Sequence, residues 1–85
     1  MNTDSGGAIQ DRIVARIAKG RGEEIRVALS RFKGRDYLAF RVWFQDVTGE
    51  MRPSSRGLNV RVELLPEILD GIGRAYEEAR SEGLV

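Results

Sequence analysis

Three short runs of this chain alternate apolar and polar residues, and the run that follows them does not. From Glu24 to Phe32, Ile25, Val27 and Leu29 alternate with Arg26, Ala28 and Ser30. From Tyr37 to Gln45, Leu38, Phe40, Val42 and Phe44 fall on one side, with Tyr37, Ala39, Arg41 and Trp43 on the other. Leu58, Val60 and Val62 alternate with Asn59 and Arg61. A period of two marks strands with one buried face. After Val62 the period lengthens, and Leu65, Ile68, Leu69, Ile72, Tyr76 and Ala79 recur at helical spacing. Pro66 suits a first helical turn, Glu67 its positive end, and Gly83 a C-terminal cap. Strands followed by one helix predict an α+β fold built on an antiparallel meander of three or four strands.

The connections follow from turn chemistry. Lys33-Gly34-Arg35-Asp36 reads as a hairpin turn, as do Asp46–Gly49 and Ser54–Gly57. Glu50 to Pro53 reads as a short strand limited by Pro53, which cannot donate to a central ladder. Near the start the pattern leaves two readings open. Ile9, Ile13, Val14 and Ile17 fit a helical stripe, while Ile13, Ala15 and Ile17 fit strand alternation. Lys19-Gly20-Arg21-Gly22 reads as a flexible break. Residues 1–8 have no period and two glycines. Residues 1–11 are therefore expected to form a disordered tail and residues 12–85 the single domain.

A chain of 85 residues allows one small domain. It has no His and no Cys, which removes imidazole chemistry, thiol nucleophiles, disulfides and the usual zinc sites. No metal or cofactor is expected. A core this small, without disulfide or metal, usually gains stability by self-association, so a homodimer is expected. The net charge of +1 hides a split: residues 12–57 carry +6 and residues 58–85 carry −3. No apolar run approaches the roughly 18–20 residues that span a bilayer. Met1 to Asp11 lack the basic and apolar regions of a signal peptide. These features predict a soluble intracellular protein with no membrane partner.

One helix can cover only one face of a four-stranded sheet. The apolar set Ile25, Val27, Leu29, Leu38, Phe40, Val42, Leu58, Val60 and Val62 is expected under it. The other face then shows Arg26, Ser30, Phe32, Tyr37, Arg41, Trp43 and Arg61. Bases interleaved with aromatics on an open sheet suit single-stranded nucleic acid, because rings stack on bases and cations meet phosphates. The same rings could instead be cross-strand pairs or a core at a dimer interface. Lys33 and Arg35 flank Gly34, and Arg52 and Arg56 flank the Pro53–Ser55 turn, so two loops present bases on either side of an aromatic strand.

Ser-Arg-Phe-Lys-Gly-Arg (30–35), Phe-Arg-Val-Trp-Phe (40–44), Gly-Glu-Met-Arg-Pro (49–53) and Arg-Gly-Leu-Asn-Val (56–60) come in a familiar order and spacing. Over roughly residues 12–80 the chain resembles the positive cofactor four family, the C-terminal domain of a eukaryotic transcriptional coactivator and its bacterial and phage relatives. The resemblance implies a curved four-stranded antiparallel sheet with one C-terminal helix, homodimeric, with residues 12–18 as a strand. It implies binding of single-stranded or melted DNA with little sequence preference. By matching position, Phe32 and one ring of the Trp43-Phe44 pair would be stacking platforms. Lys33, Arg35, Arg41, Arg52 and Arg56 would contact phosphates. The chain departs from the family at Ser55, where a second base is usual, and at Val42, where Glu is common. The family's stacking tryptophan aligns with Phe44, whereas strict alternation puts Trp43 beside Arg41.

Catalysis is not expected. The adjacent carboxylates Glu23-Glu24 and Glu77-Glu78 point apart, Ser54 and Ser55 have no base partner, and no phosphate-cradling glycine motif appears. The rival reading is a homodimer whose aromatic face binds another protein. Single-stranded DNA is the expected partner, with RNA and the transcription machinery as further candidates. The expected location is the bacterial nucleoid in the cytoplasm, or the nucleus in a eukaryote.

Overall fold

The computed structural model describes residues 10–85, and residues 1–9 of the expected 1–11 tail lie outside them. Four strands, β1 (Gln10–Gly20), β2 (Glu23–Phe32), β3 (Arg35–Gln45) and β4 (Met51–Arg61), form one antiparallel sheet in chain order. A single 3₁₀ turn (Val62–Leu64) leads into the helix α1 (Leu65–Ser81). The first run is thus a strand, and it takes in Gln10 and Asp11, which the sequence left with the tail.

Tight turns fix the meander. Arg21-Gly22 and Lys33-Gly34 are two-residue loops with positive φ at both positions, the primed turn that matches the twist of paired strands. The expected flexible break at 19–22 is therefore a hairpin. The β3–β4 turn is organised by Asp46. Its Oδ1 accepts from Thr48 N (2.8 Å), Thr48 Oγ1 (2.6 Å) and Glu50 N (3.1 Å), while Oδ2 accepts from Arg52 Nε (2.5 Å).

β4 departs from expectation. In place of a short strand, a turn and a second strand, it runs continuously from Met51 to Arg61. The supposed turn is a wide bulge, because Arg41 pairs with Gly57 and Trp43 with Pro53, leaving Ser54, Ser55 and Arg56 opposite Val42. Ser54 stitches the bulge down by donating its Oγ to Val42 O (2.8 Å) and accepting from Arg56 N (3.0 Å). Gly57 allows the close approach: a Cβ there would lie 2.5 Å from Phe40 O and 2.7 Å from Arg41 Cα. Pro53 is tolerated because β4 is an edge strand.

The helix ends in a Schellman motif, with Gly83 at positive φ, Gly83 N donating to Arg80 O (3.1 Å) and Leu84 N to Ala79 O (2.8 Å). The helix start agrees with its sequence signals, since Pro66 lies in the first turn beside Glu67. Its placement does not. α1 packs on the 3₁₀ turn and is not laid across the sheet. Leu69, Ile72 and Tyr76 are 72, 57 and 55% exposed. Of the nine-residue apolar set, Phe40 and Leu58 are exposed and the other seven half-buried, and its last member, Val62, belongs to the 3₁₀ turn and not to a strand. Among the described residues, Ala28 alone is buried. The radius of gyration is 15.4 Å, against about 11–12 Å for a compact chain of this length.

Candidate nucleic-acid interface

Strand register decides which side chains share a face, because directly opposed residues point the same way. Ile17, Ile25, Val42, and then Ala15, Val27, Phe40 and Leu58, form successive rows of the apolar face. The opposite face carries a different row: Arg16 opposes Arg26, Arg26 opposes Arg41, and Arg41 opposes Gly57. Three arginines therefore stand side by side across three strands. Like charges directly opposed repel, and Glu24 offsets this by taking Arg26 Nε at 2.5 Å and lying 3.8 Å from Arg16 Nε. Trp43 occupies the adjacent row, and the Arg26 guanidinium sits over its ring, 4.0 Å from the centroid. On the other side of the arginines the floor is low, made of Ala28, Ala39, Ser30 and Asn59. Together with Ile13 and Pro53 these residues line a recess of about 350 Å³.

The expected site residues separate into two groups. Phe32, Arg35, Arg41 and Trp43 lie on the arginine-bearing face, the first two at the β2–β3 hairpin. Phe32 is 37% exposed, with Lys33 Nζ 5.3 Å from its ring centroid. Arg41 donates to Ser54 O (3.1 Å) and Asn59 Oδ1 (3.5 Å), which fixes its head over the recess. Phe44 falls on the other face, opposite Glu23 on one side and Arg52 on the other. Arg52 is held by Asp46, and Arg56 donates to Glu23 Oε2 at 2.6 Å. The bulge lies in β4, so β3 keeps its alternation and Trp43 stays beside Arg41. Arg16 and Arg26 complete the row and were not among the expected contacts. Arg26 shares its phase with Arg41 in the sequence, whereas Arg16 comes into line only through a bulge at Val14 in β1.

Residues 19–71 match the family described as Transcriptional Coactivator p15 (PC4). The chain belongs to the PC4 family. Its fold agrees with solved PC4 relatives. A crystal structure of a PC4 homologue from Burkholderia pseudomallei matches with a TM-score of 0.73 and 27% identity, covering 79% of this chain and 98% of that one. A second crystal form matches with a TM-score of 0.73 and 25% identity over 89% and 99%. The bacteriophage T5 homologue of the eukaryotic coactivator PC4, implicated in recombination-dependent DNA replication, matches with a TM-score of 0.62 and 27% identity over 88% and 82%. No curated protein sequence matches the chain. Among the described residues of this PC4 domain, no helix is long and apolar enough to cross a membrane.

Proposed function

We propose that this PC4-family chain binds single-stranded DNA with little sequence preference, as a homodimer, in a transcription or DNA-maintenance role. The observation that carries the reading is the row Arg16–Arg26–Arg41 beside Trp43, on a face that, among the described residues, no other element covers. A row of cations concentrates the field that attracts a polyanion, and a neighbouring ring offers a stacking surface that every base can use. Trp43 and Phe32 share this face and are the proposed stacking platforms, with Arg41, Lys33 and Arg35 as phosphate contacts. Phe44, Arg52 and Arg56 form a second cluster at the far end of β3.

Self-association supplies the missing core. Among the described residues, Phe40 and Leu58 on the sheet's apolar face and Leu69, Ile72 and Tyr76 on the stripe of α1 are exposed, and a second copy presents matching surfaces under two-fold symmetry. The rival, a protein-binding aromatic face, is separated by titrating labelled oligo-dT and a duplex at two salt concentrations. With Lys33, Arg35, Arg41, Arg52 and Arg56 all engaged in each protomer at roughly −0.7 per phosphate, log Kobs against log salt is expected to slope at about −3 or steeper. Failure to bind oligo-dT even in dilute buffer would overturn the reading.

A further inference from the structure

One acid stands among the cations of the second cluster. Glu23 opens β2 directly opposite Phe44. Its Oε2 accepts from Arg56 Nη2 at 2.6 Å and its Oε1 from Lys19 Nζ at 3.3 Å. Lys19 comes from the end of β1, and Arg56 arrives from 33 residues away because the β4 bulge throws it back toward β2. Two cations thus converge on one carboxylate. The carboxylate is the inner member, 28% exposed against 42% for Lys19 and 54% for Arg56. The Arg56 bond, and then the Lys19 bond, hold the Glu23 carboxyl below its ordinary range, so the position is filled by an anion at neutral pH.

The neighbouring pair shows what is particular here. Asp46 also binds an arginine, but it accepts from two backbone N–H groups as well and is built into its turn. The hydrogen bonds of the Glu23 carboxylate, among the described residues, are to Lys19 and Arg56. No described backbone group holds it, and an exposed ion pair of this kind is weak enough to open to a competing anion. Phosphate and carboxylate oxygens take the same charged donors.

We infer that Lys19 and Arg56 form a seat for one backbone phosphate beside Phe44, and that Glu23 occupies this seat in the free protein, so that strand binding exchanges its carboxylate for a phosphate. The inference rests on the proposed function and deepens it. It adds Lys19 to the binding residues and makes Glu23 a determinant of affinity and of salt dependence. A displaced Glu23 keeps its charge near the strand and opposes binding. Neutralising it leaves both cations free to release counterions.

The test compares wild type, Glu23→Gln and Glu78→Gln by anisotropy of labelled oligo-dT across a salt series. Glu78→Gln makes the same charge change at a distance, on the exposed face of α1. Glu23→Gln is expected to steepen the salt slope by about 0.7, equivalent to about fivefold tighter binding at 0.1 M salt relative to 1 M. Adding Lys19→Ala to Glu23→Gln is expected to return the slope toward wild type. If wild type binds and Glu23→Gln behaves like Glu78→Gln or binds more weakly, the seat is refuted and the proposed function stands. If wild type fails to bind, both fall. On the unmodified protein, the Glu23 carboxylate carbon resonance is expected to move on saturation with oligo-dT, and a stationary resonance refutes the exchange without any variant.

Discussion

Trp43 gives one face of its ring to the Arg26 guanidinium and stands opposite Pro53. The contact holds Arg26 in line with its neighbours, and cation–π pairing offsets part of the repulsion within the row. Trp43→Ala is therefore expected to act twice, removing a stacking surface and releasing Arg26. Weakening of oligo-dT binding by about 1–3 kcal/mol per stacked base, measured by anisotropy, is the expected outcome. Unchanged affinity would make the ring a purely internal prop for Arg26. Phe32→Ala belongs to the same scale. The ring is part-exposed at the end of β2, so the substitution is expected to weaken binding while the thermal melt and oligomeric state stay as in wild type. Loss of the dimer in Phe32→Ala would make that ring interface. The face of each ring was readable from alternation alone, since β3 keeps its register with β2 throughout. Arg16 was not readable, because its alignment depends on where β1 bulges, and nothing in Ile13-Val14-Ala15 specifies that position.

At the level of turns and strands, polar side chains replace the burial that this chain lacks. Asp46 is the clearest case. Bonds from Thr48 and Arg52 lower its carboxyl from the usual 3.8 to about 2. A folded-state value below the unfolded one means that its stabilisation of the turn is complete above about pH 4 and is lost as pH falls toward 2. The difference in melting temperature between wild type and Asp46→Asn is therefore expected to shrink over that interval, and a difference independent of pH would refute the assignment. The β4 bulge rests on Gly57. Gly57→Ala would push a methyl against Phe40 O and Arg41 Cα, an overpacking that typically costs about 1–3 kcal/mol and that urea denaturation would register. The same bulge explains why the sequence suggested two strands here. Pro53, two serines and a glycine carry turn chemistry, and only pairing on both sides, to Trp43 and to Arg41, shows that the ladder resumes. β1 was ambiguous because its apolar residues fit a helical stripe as well as alternation, and the bulge then puts Ile13 and Ile17, which alternation places on one face, on opposite faces.

The whole molecule is a thin plate, 19 Å in its shortest extent, with a helix projecting from one end. β2, β3 and the helix were legible because each is a local pattern. Where the helix lies was not, because an apolar stripe states that it must be covered and is silent on which chain covers it. The expectation that α1 closes over its own sheet fails: one 3₁₀ turn connects the last residue of β4 to the first of α1, and the helix packs on that turn. In the proposed dimer the apolar face and the stripe are two halves of one core divided between copies, which makes folding and association a single event, with stability that depends on protomer concentration. Ile72 lies in the middle of the stripe and is 57% exposed within the chain, so a charge there costs little in an isolated protomer and much in an interface core. Ile72→Asp is expected to yield a monomer by sedimentation and to lower the melting temperature. In wild type the melting temperature is expected to rise with concentration. A wild-type melt that is independent of concentration, together with an Ile72→Asp variant as stable as wild type, would mean that the plate stands alone and that its uncovered faces serve some other purpose.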